Sequence, residues 1–269
     1  MTWQVFATSS STVAAVDEGL TTGQVAHRCQ VVAPAGIPEA VGDALAHGFR
    51  RIAIEGRDPE IASAIAEIRA HGVGRQTDLA VITRDSDLMR TFAAEQTVDG
   101  AVQRMTRHTP YLIDAGLVEG DFAEMLFVNS VASGVLASGP GWFPWWPRPL
   151  LPARRVAVTA GDTTTESVAS GALVLNGQFW GDRIAAPRST MVDGVFDVQV
   201  FNGHRIALSR LRRTMRTGMH VRSHHVRRRA LAEARFDAPR AWQIAVDGIR
   251  VGRGAFRVAC LPGAVRLAI

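Results

Sequence analysis

The chain has 269 residues, of which 47% are hydrophobic and 20% charged, a composition typical of a folded protein rather than a disordered one. Its formal net charge is +5, and arginine supplies all of the permanent positive charge because the sequence contains no lysine. That absence excludes a P-loop lysine, Schiff-base chemistry and a lysine general base. The two cysteines, Cys29 and Cys260, lie far apart, which argues against a disulfide framework or a cysteine zinc site.

The positive charge and the hydropathy pattern also bear on location. A positive excess suits an anionic membrane surface, a phosphorylated ligand or nucleic acid, and does not choose among them. The first residues lack the charged start and apolar run of a secretory signal, and no uninterrupted apolar stretch is long enough to span a bilayer. We therefore expect a cytoplasmic protein that either stays in solution or associates peripherally with the inner face of the membrane.

Strands and helices are predicted to alternate along the first 110 residues. Strands are predicted at Trp3–Ala7, in the apolar run of residues 30–34, at 51–54 and at 79–82, and helices through Val13 and Val16, over 37–47, along the face of Ile61, Ile65 and Ile68, and over 97–105. This alternation predicts a doubly wound α/β domain with helices on both faces of a parallel sheet. In such a sheet the ligand binds outside the carboxyl ends of the strands.

From about residue 111 the pattern changes to short strands separated by turns. Residues 172–202 show it best, because alternating apolar residues on either side of Gly177 and Gly181 indicate strand, glycine turn and strand. We therefore place a domain boundary near residue 110, giving domains of residues 1–110 and 111–269. The sequence leaves open whether the last residues return to the first domain.

Two segments of the second half have a structural and a membrane interpretation. Residues 139–152 are rich in tryptophan and proline, so Trp145 and Trp146 lie either in a loop packed over the core or at a membrane interface. Residues 204–229 carry a narrow apolar stripe flanked by Arg210, Arg213 and Arg216, which is typical of a surface helix or of a helix lying on anionic lipid. The histidines that follow, at 220, 224 and 225, lack a carboxylate or cysteine at metal-ligand spacing, so a structural role is favoured over zinc.

The motifs of residues 172–202 resemble the C-terminal signature of the diacylglycerol kinase and sphingosine kinase family of lipid kinases. The shared features are Asn176, the two turn glycines, Pro187, the Asp193-Gly194 pair and the strand containing Asp197. The resemblance implies an N-terminal doubly wound α/β domain, a C-terminal antiparallel β-sandwich and a ligand cleft between them. It also implies ATP and magnesium as cofactors if the protein is active.

The candidate nucleotide-binding residues are Gly56, Asp87 and Arg90, which the resemblance implies, and Arg57, whose guanidinium suits phosphate oxygens in a rebuilt pocket that would also include Arg84. Residues 52–59 lie where the family carries an apolar strand and a glycine-rich phosphate loop, and residues 81–90 resemble its next conserved loop. Only Gly56 of the glycine loop is in register. Glu55 brings a negative charge toward the expected anion, Arg57 replaces an aspartate, and Pro59 has no amide to donate. These changes predict weak binding of a triphosphate.

The resemblance identifies Asp247 as the general base, because residues 246–249 match the family's Leu-Asp-Gly-Glu segment. The glutamate of that segment, which lies on the nucleotide and metal side, is Ile249 here. Asp193 is the matching metal ligand, and alone it would hold a cation weakly. For each aspartate alone, the simpler interpretation is a turn residue that bonds its own backbone before glycine.

Three hypotheses about function follow. The first is an ATP-dependent kinase that phosphorylates a diacylglycerol-like or sphingoid hydroxyl. The second, which we favour because the losses fall on the nucleotide and metal side, is a family member with impaired or lost catalysis that binds lipid or regulates. The third, a nucleic-acid-binding protein, rests on arginine content alone and finds no recognised binding module. We expect a lipid or anionic membrane partner and no nucleic acid, and the sequence leaves a homo-oligomer open.

Overall fold

The computed structural model describes residues 1–140, 153–202, 211 and 213–269, so the predictions for Trp145, Trp146 and Arg210 lie outside the described residues. The chain divides into two compact units. Unit 1 consists of Met1–Asp114 with Pro262–Ile269, and unit 2 consists of Ala115–Leu261. In the described part of the chain no helix has both the length and the apolar character needed to cross a membrane.

Unit 1 is an α/β domain with a parallel sheet, as the alternation predicts. Its strands are β1 (Trp3–Ala7), β2 (His27–Val31), β3 (Arg51–Glu55) and β4 (Asp78–Ile82), and its helices are α1 (Ser10–Thr22), α2 (Ile37–Ala46), α3 (Asp58–Ala70), α4 (Asp87–Thr91) and α5 (Val98–Arg107). The strands pair in the order β2-β1-β3-β4, every pair being parallel. The last residues of the chain add a further parallel partner to β4, where Arg266 pairs with Asp78.

Burial explains which predicted elements of unit 1 are correct. Strands β1 and β4 are buried along their whole length, and Trp3, Val5, Val16 and Leu20 pack in one core cluster between the sheet and α1. The predicted position of β2 is wrong by about three residues, since the strand covers His27–Val31 rather than the apolar run of residues 30–34. The strand is partly exposed, so its position follows from its pairing with β1 rather than from apolar burial.

Unit 2 is an antiparallel β-sandwich. The strands that lie in it or begin or end in it are β5 (Pro110–Gly120), β6 (Met125–Phe127), β7 (Ser130–Gly134), β8 (Arg154–Ala160), β9 (Thr163–Leu175), β10 (Phe179–Trp180), β11 (Arg183–Ile184), β12 (Phe196–Asn202), β13 (Val226–Leu231), β14 (Glu233–Asp237), β15 (Gln243–Val246), β16 (Ile249–Arg253) and β17 (Phe256–Ala268). The predicted strand, turn and strand of residues 172–202 are the end of β9, the β10–β11 hairpin and β12, and β9 pairs with β12.

Strand β9 separates two hydrophobic clusters, because successive side chains of a strand point to opposite faces. Ala172 and Val174 belong to the larger cluster, which also contains Trp242, whereas Leu173 and Leu175 belong to the smaller one. Two described residues of the predicted apolar stripe, Leu211 and Met215, are buried in the smaller cluster. Arg213 and Arg216 beside them are exposed to solvent.

A buried polar chain crosses the smaller cluster and involves His220, which is fully buried. Its Nε2 lies 3.1 Å from Oε1 of Gln199, whose Nε2 donates to the carbonyl of Ala185 at 2.7 Å and to Oδ1 of Asp197 at 2.9 Å. Because Gln199 Oε1 can only accept, His220 donates through Nε2 and sits in a hydrogen-bonded structural position. The predicted structural role of His220 agrees with this arrangement.

Burial of His220 lowers its pKa from 6.5 to about 4. The neutral ring therefore contributes stability that is fully present above pH 6.5 and is lost as the pH falls toward 4. We expect the melting temperature of the protein to fall more steeply between pH 6.5 and 4 than that of a His220→Gln variant. Melting curves of both proteins across this range test the expectation, and parallel pH profiles would contradict it.

Candidate functional site

A cavity of about 300 Å³ lies in unit 1 at the carboxyl ends of the parallel strands. We call it the strand-end cavity. Its lining includes Thr8 after β1, Glu55 at the end of β3, Gly56 and Arg57 after that strand, and Arg84 after β4. This is the position at which an open α/β sheet binds its ligand, because the loops that follow neighbouring strands meet there. The structure therefore places the predicted residues Gly56 and Arg57 in the lining of the strand-end cavity.

The Glu55 carboxylate is held at this edge by the loop after β1. Its Oε2 accepts from the backbone N–H of Thr8 at 2.6 Å and from the Thr8 hydroxyl at 2.7 Å. Its Oε1 accepts from the Thr12 hydroxyl at 3.0 Å, in the first turn of α1. Backbone amides and hydroxyls at the start of a helix are groups that bind phosphate in other proteins. Here an internal carboxylate occupies one amide just before α1 and two hydroxyls, one of them in the first turn of the helix.

Two backbone amides of the loop between β3 and α3 also donate hydrogen bonds within the fold. Gly56 donates its N–H to the carbonyl of Ile82 at 3.1 Å, and Arg57 donates its N–H to Oε2 of Glu60 at 2.8 Å. Pro59 has no N–H to offer. Gly56 is required here for space, since a Cβ on it would come within 2.5 Å of the Glu60 Cβ. The Arg57 guanidinium is exposed, so positive charge is accessible from this loop while the Gly56 and Arg57 amides are not.

Asp58, next in the chain, is buried and joins this loop to the loop after β4. Its carboxylate accepts hydrogen bonds from the Ser86 hydroxyl, from the Asp87 N–H at 3.1 Å and from the Leu88 N–H at 3.4 Å. Burial raises the pKa of Asp58, and the charge of Asp85 adds to the effect. A second internal carboxylate therefore occupies the amides that begin α4.

The predicted cofactor residues Asp87 and Arg90 form an ion pair with each other. Nη2 of Arg90 also lies 3.1 Å from Oδ1 of Asp85. Among the described residues that line the strand-end cavity, Asp85 is included and Asp87 and Arg90 are not. The structure thus brings Gly56, Arg57 and Arg84 to one cavity and turns Asp87 and Arg90 toward each other.

In unit 2, Asp247 occupies the hairpin turn between β15 and β16. Its φ of +45° and that of +85° at Gly248 are the left-handed values that a two-residue hairpin requires, and an Asp-Gly pair meets that requirement. Its carboxylate reaches a distant segment of the chain. It accepts from three consecutive backbone N–H groups, at 2.8 Å from Val128, 3.0 Å from Asn129 and 2.7 Å from Ser130.

Two buried asparagines fix the segment that supplies these amides. The Asn176 side chain donates to the carbonyl of Val128 at 2.9 Å, and its backbone N–H donates to the carbonyl of Asn129 at 2.8 Å. The Asn129 side chain donates to the carbonyl of Phe179 at 3.1 Å. We call Asp247, Asn129, Ser130 and Asn176 the Asp247 cluster. It joins the β15–β16 turn, the start of β7 and the end of β9 into one rigid polar site with a carboxylate at its centre.

The predicted metal-side residues of unit 2 do not form a set of ligands. Asp193 is exposed, and its Oδ1 accepts from the N–H of Val195 at 3.3 Å, as in an Asx turn. Asp197 is buried and bonds Gln199 and the Arg228 guanidinium, and burial raises its pKa. Ile249 is 49% exposed beside Gly248 and offers no ligand atom.

Comparison with known proteins adds a partial family match. Residues 151–269 match the family model described as the YegS C-terminal NAD kinase beta sandwich-like domain. Among curated proteins no sequence matches the chain.

Solved structures match almost the entire chain. A provisionally assigned diacylglycerol kinase from Bacillus anthracis str. Sterne superposes with a TM-score of 0.80 at 13% identity, covering 99% of this chain and 96% of the other. A further crystal structure of a diacylglycerol kinase from that strain gives 0.76 at 13% identity with the same coverage. An NAD kinase from Archaeoglobus fulgidus, solved in complex with ATP, gives 0.57 at 10% identity and covers 100% of this chain and 94% of its own. At these identities the likeness is one of fold.

Proposed function

We propose, on the premise that the chain has the fold of the diacylglycerol kinase and NAD kinase-like superfamily and carries a YegS-type C-terminal domain, that it is a lipid-kinase-like protein whose phosphoryl transfer is impaired or lost and which binds a lipid ligand. The expected setting is the cytoplasm, with an anionic membrane surface or a lipid as partner. The observation that carries the proposal is the Glu55 carboxylate bonded to the start of α1.

The residues at the strand-end cavity do not fit a magnesium triphosphate. Each γ- or β-phosphate would bring negative charge to an edge where Glu55 already receives the Thr8 amide and two hydroxyls. At a separation of about 4 Å, repulsion between two like charges costs on the order of 1–4 kcal/mol near a protein surface. The amides of Gly56 and Arg57 are bonded within the fold and cannot compensate.

The residues of unit 2 that were expected to bind magnesium do not fit that ion either. A hard cation needs several oxygen ligands, and Asp193 is exposed in a turn while Ile249 replaces the carboxylate next to Gly248. Asp197 is already neutralised by Arg228, and separating that pair would leave a buried unpaired charge. Because residues expected to bind the nucleotide and the metal are both replaced, we favour a protein that binds lipid without transferring phosphate.

A second candidate function, an active lipid kinase with Asp247 as general base, has one specific observation in its favour. Three amides hold the Asp247 carboxylate in a fixed position in a partly buried site, and a positioned carboxylate is what proton abstraction from an acceptor hydroxyl requires. Exposed Arg57 and Arg84 at the strand-end cavity could supply positive charge for phosphates by a route different from the glycine loop.

Thermal melting with and without magnesium ATP separates the two functions. ATP is the appropriate nucleotide because the Archaeoglobus fulgidus NAD kinase was solved with it. We expect no increase in melting temperature at millimolar magnesium ATP, since a ligand that does not bind the native state cannot stabilise it. A kinase with a dissociation constant one hundredth of the nucleotide concentration would gain about 2.7 kcal/mol.

A Glu55→Gln variant provides the matched control. It keeps the length of the side chain and one acceptor oxygen while removing the charge, so any latent affinity for nucleotide should be larger in the variant than in the natural protein. A clear upward shift of the unmodified protein, accompanied by transfer of phosphate to a diacylglycerol or sphingoid acceptor, would contradict the proposal and establish the second candidate.

A further inference from the structure

A second cavity lies entirely within unit 2, on the strands β8, β9, β12 and β13, and has a volume of about 310 Å³. We call it the arginine groove. Three consecutive arginines of β13, Arg227, Arg228 and Arg229, line it together with Thr165 and Ser167 of β9. Its volume is at the lower end of the range of small-molecule sites, about 300 to 1,000 Å³.

The charge of the arginine groove has one sign. None of the described lining residues is acidic. Arg228 pairs with the buried Asp197, so its charge is already compensated. Arg227 is held across the groove, because its Nη1 donates to the carbonyl of Glu166 and to the Ser167 hydroxyl, each at 3.1 Å. Arg229 is exposed, and its guanidinium has no hydrogen bond or ion pair with another described residue, so the guanidiniums of Arg227 and Arg229 remain uncompensated at the rim.

The floor of the groove is aliphatic and continuous with the core. Val198 and Val200 belong to the larger hydrophobic cluster of unit 2, and Val158 and Leu231 pack against that cluster while also lining the groove. The register explains the combination, since Val198 pairs with Arg229 and Val200 with Arg227 on β12 and β13. Paired residues share a face, so the side chains of Arg227 and Arg229 stand beside the aliphatic floor residues Val200 and Val198.

We propose that the arginine groove binds one molecule of an anionic amphiphile, with its alkyl chain on the valine and leucine floor and its carboxylate or phosphate head between Arg227 and Arg229. An apolar floor gains free energy from burying an alkyl chain, and guanidinium forks bind carboxylate and phosphate oxygens with paired hydrogen bonds. The inference deepens the lipid-binding role proposed above, and it names both the class of lipid and the place where the lipid binds.

Calorimetric titration of the full-length protein with laurate, below the concentration at which laurate forms micelles, tests the proposal. We expect saturable binding of one laurate per chain that weakens as salt is raised, since an exposed ion pair is screened. Acetate, which has the head without the chain, and dodecyl maltoside, which has the chain without the charge, should bind at least tenfold more weakly. An equal response to acetate or to dodecyl maltoside would overturn the proposal.

Two variants locate the ligand. Ala160 is a partly buried lining residue at the end of β8, and Ala160→Trp should fill the groove and abolish laurate binding. Arg229→Gln should weaken binding about tenfold, whereas Arg253→Gln, an exposed arginine of the same unit outside the groove, should leave it unchanged. Arg228 is not a suitable target, because its removal would leave the buried Asp197 carboxylate without its ion-pair partner.

The outcomes distinguish this inference from the proposed function. Laurate affinity that is equal in the natural protein, Ala160→Trp and Arg229→Gln, with melting temperatures showing that all three are folded, would overturn the groove as the site. Absence of saturable laurate binding to the natural protein would overturn it as well. Either result leaves the magnesium ATP experiment unaffected, since that experiment tests unit 1.

Discussion

Replacing Asp247 with alanine is expected to lower the free energy of unfolding by about 3–4 kcal/mol, in addition to any effect on activity. The reason is that one carboxylate satisfies three backbone N–H groups, those of Val128, Asn129 and Ser130, whose residues are all buried. An alanine would leave these donors without an acceptor, and it would also have to adopt the φ of +45° that aspartate tolerates better. Urea unfolding of the natural and variant proteins measures the loss.

Asp247→Asn separates the structural from the catalytic role. Asparagine tolerates the left-handed turn and keeps one acceptor oxygen, so it should cost less than half as much stability as alanine. A stable Asp247→Asn protein that still transfers phosphate would contradict the assignment of Asp247 as general base. An alanine variant as stable as the natural protein would contradict the structural role instead.

Asp58→Ala is expected to destabilise the protein by about 2–3 kcal/mol, because the Ser86 hydroxyl and the first amides of α4 would lose their buried acceptor. The exposed Asp85 in the same loop, changed to alanine, serves as the matched control and should have little effect. Denaturant midpoints of the two variants check the difference. Equal midpoints would show that the bonds of Asp58 do not hold the two loops together.

The pKa of Asp58 gives this prediction a pH dependence of defined sign. Burial raises that pKa above 3.8 in the folded protein, so the folded state binds a proton more tightly than the unfolded chain does. The contribution is therefore present at low pH and is lost as the pH rises from 3.8 through the raised value. We expect the advantage of the natural protein over Asp58→Asn to shrink over this interval, and an advantage that grows would contradict the direction of the shift.

Local sequence patterns predict most of the fold because apolar runs indicate which strands are buried. Strands β1, β3 and β4 are short apolar runs, and their predicted positions agree with the structure to within one residue at each end. Strand β2 differs because it is partly exposed and takes its position from Trp3 and its neighbours in β1. Pairing between strands is a long-range property that a local apolar run does not encode.

The site was less predictable, because its partners are distant in sequence. The departure of Glu55 from the family pattern indicates that a negative charge meets the expected anion, but no local pattern indicates that Thr8 and Thr12 bond it. The amide partners of Asp247 lie more than 110 residues away, so a turn aspartate bonding its own backbone was the simpler expectation. The role of Asp58 at α4 emerges only when the two loops meet.

The carboxylates of Glu55 and Asp58 are part of the chain itself, so the amides of Thr8 and Asp87 that donate to them need no anion from solution. By mass action, a protein whose folded state is completed by a dissociable nucleotide becomes less stable when that nucleotide is scarce. A carboxylate that belongs to the chain, in contrast, is present at its position at any ligand concentration. The stability of unit 1 should therefore not depend on the concentration of free nucleotide or phosphate.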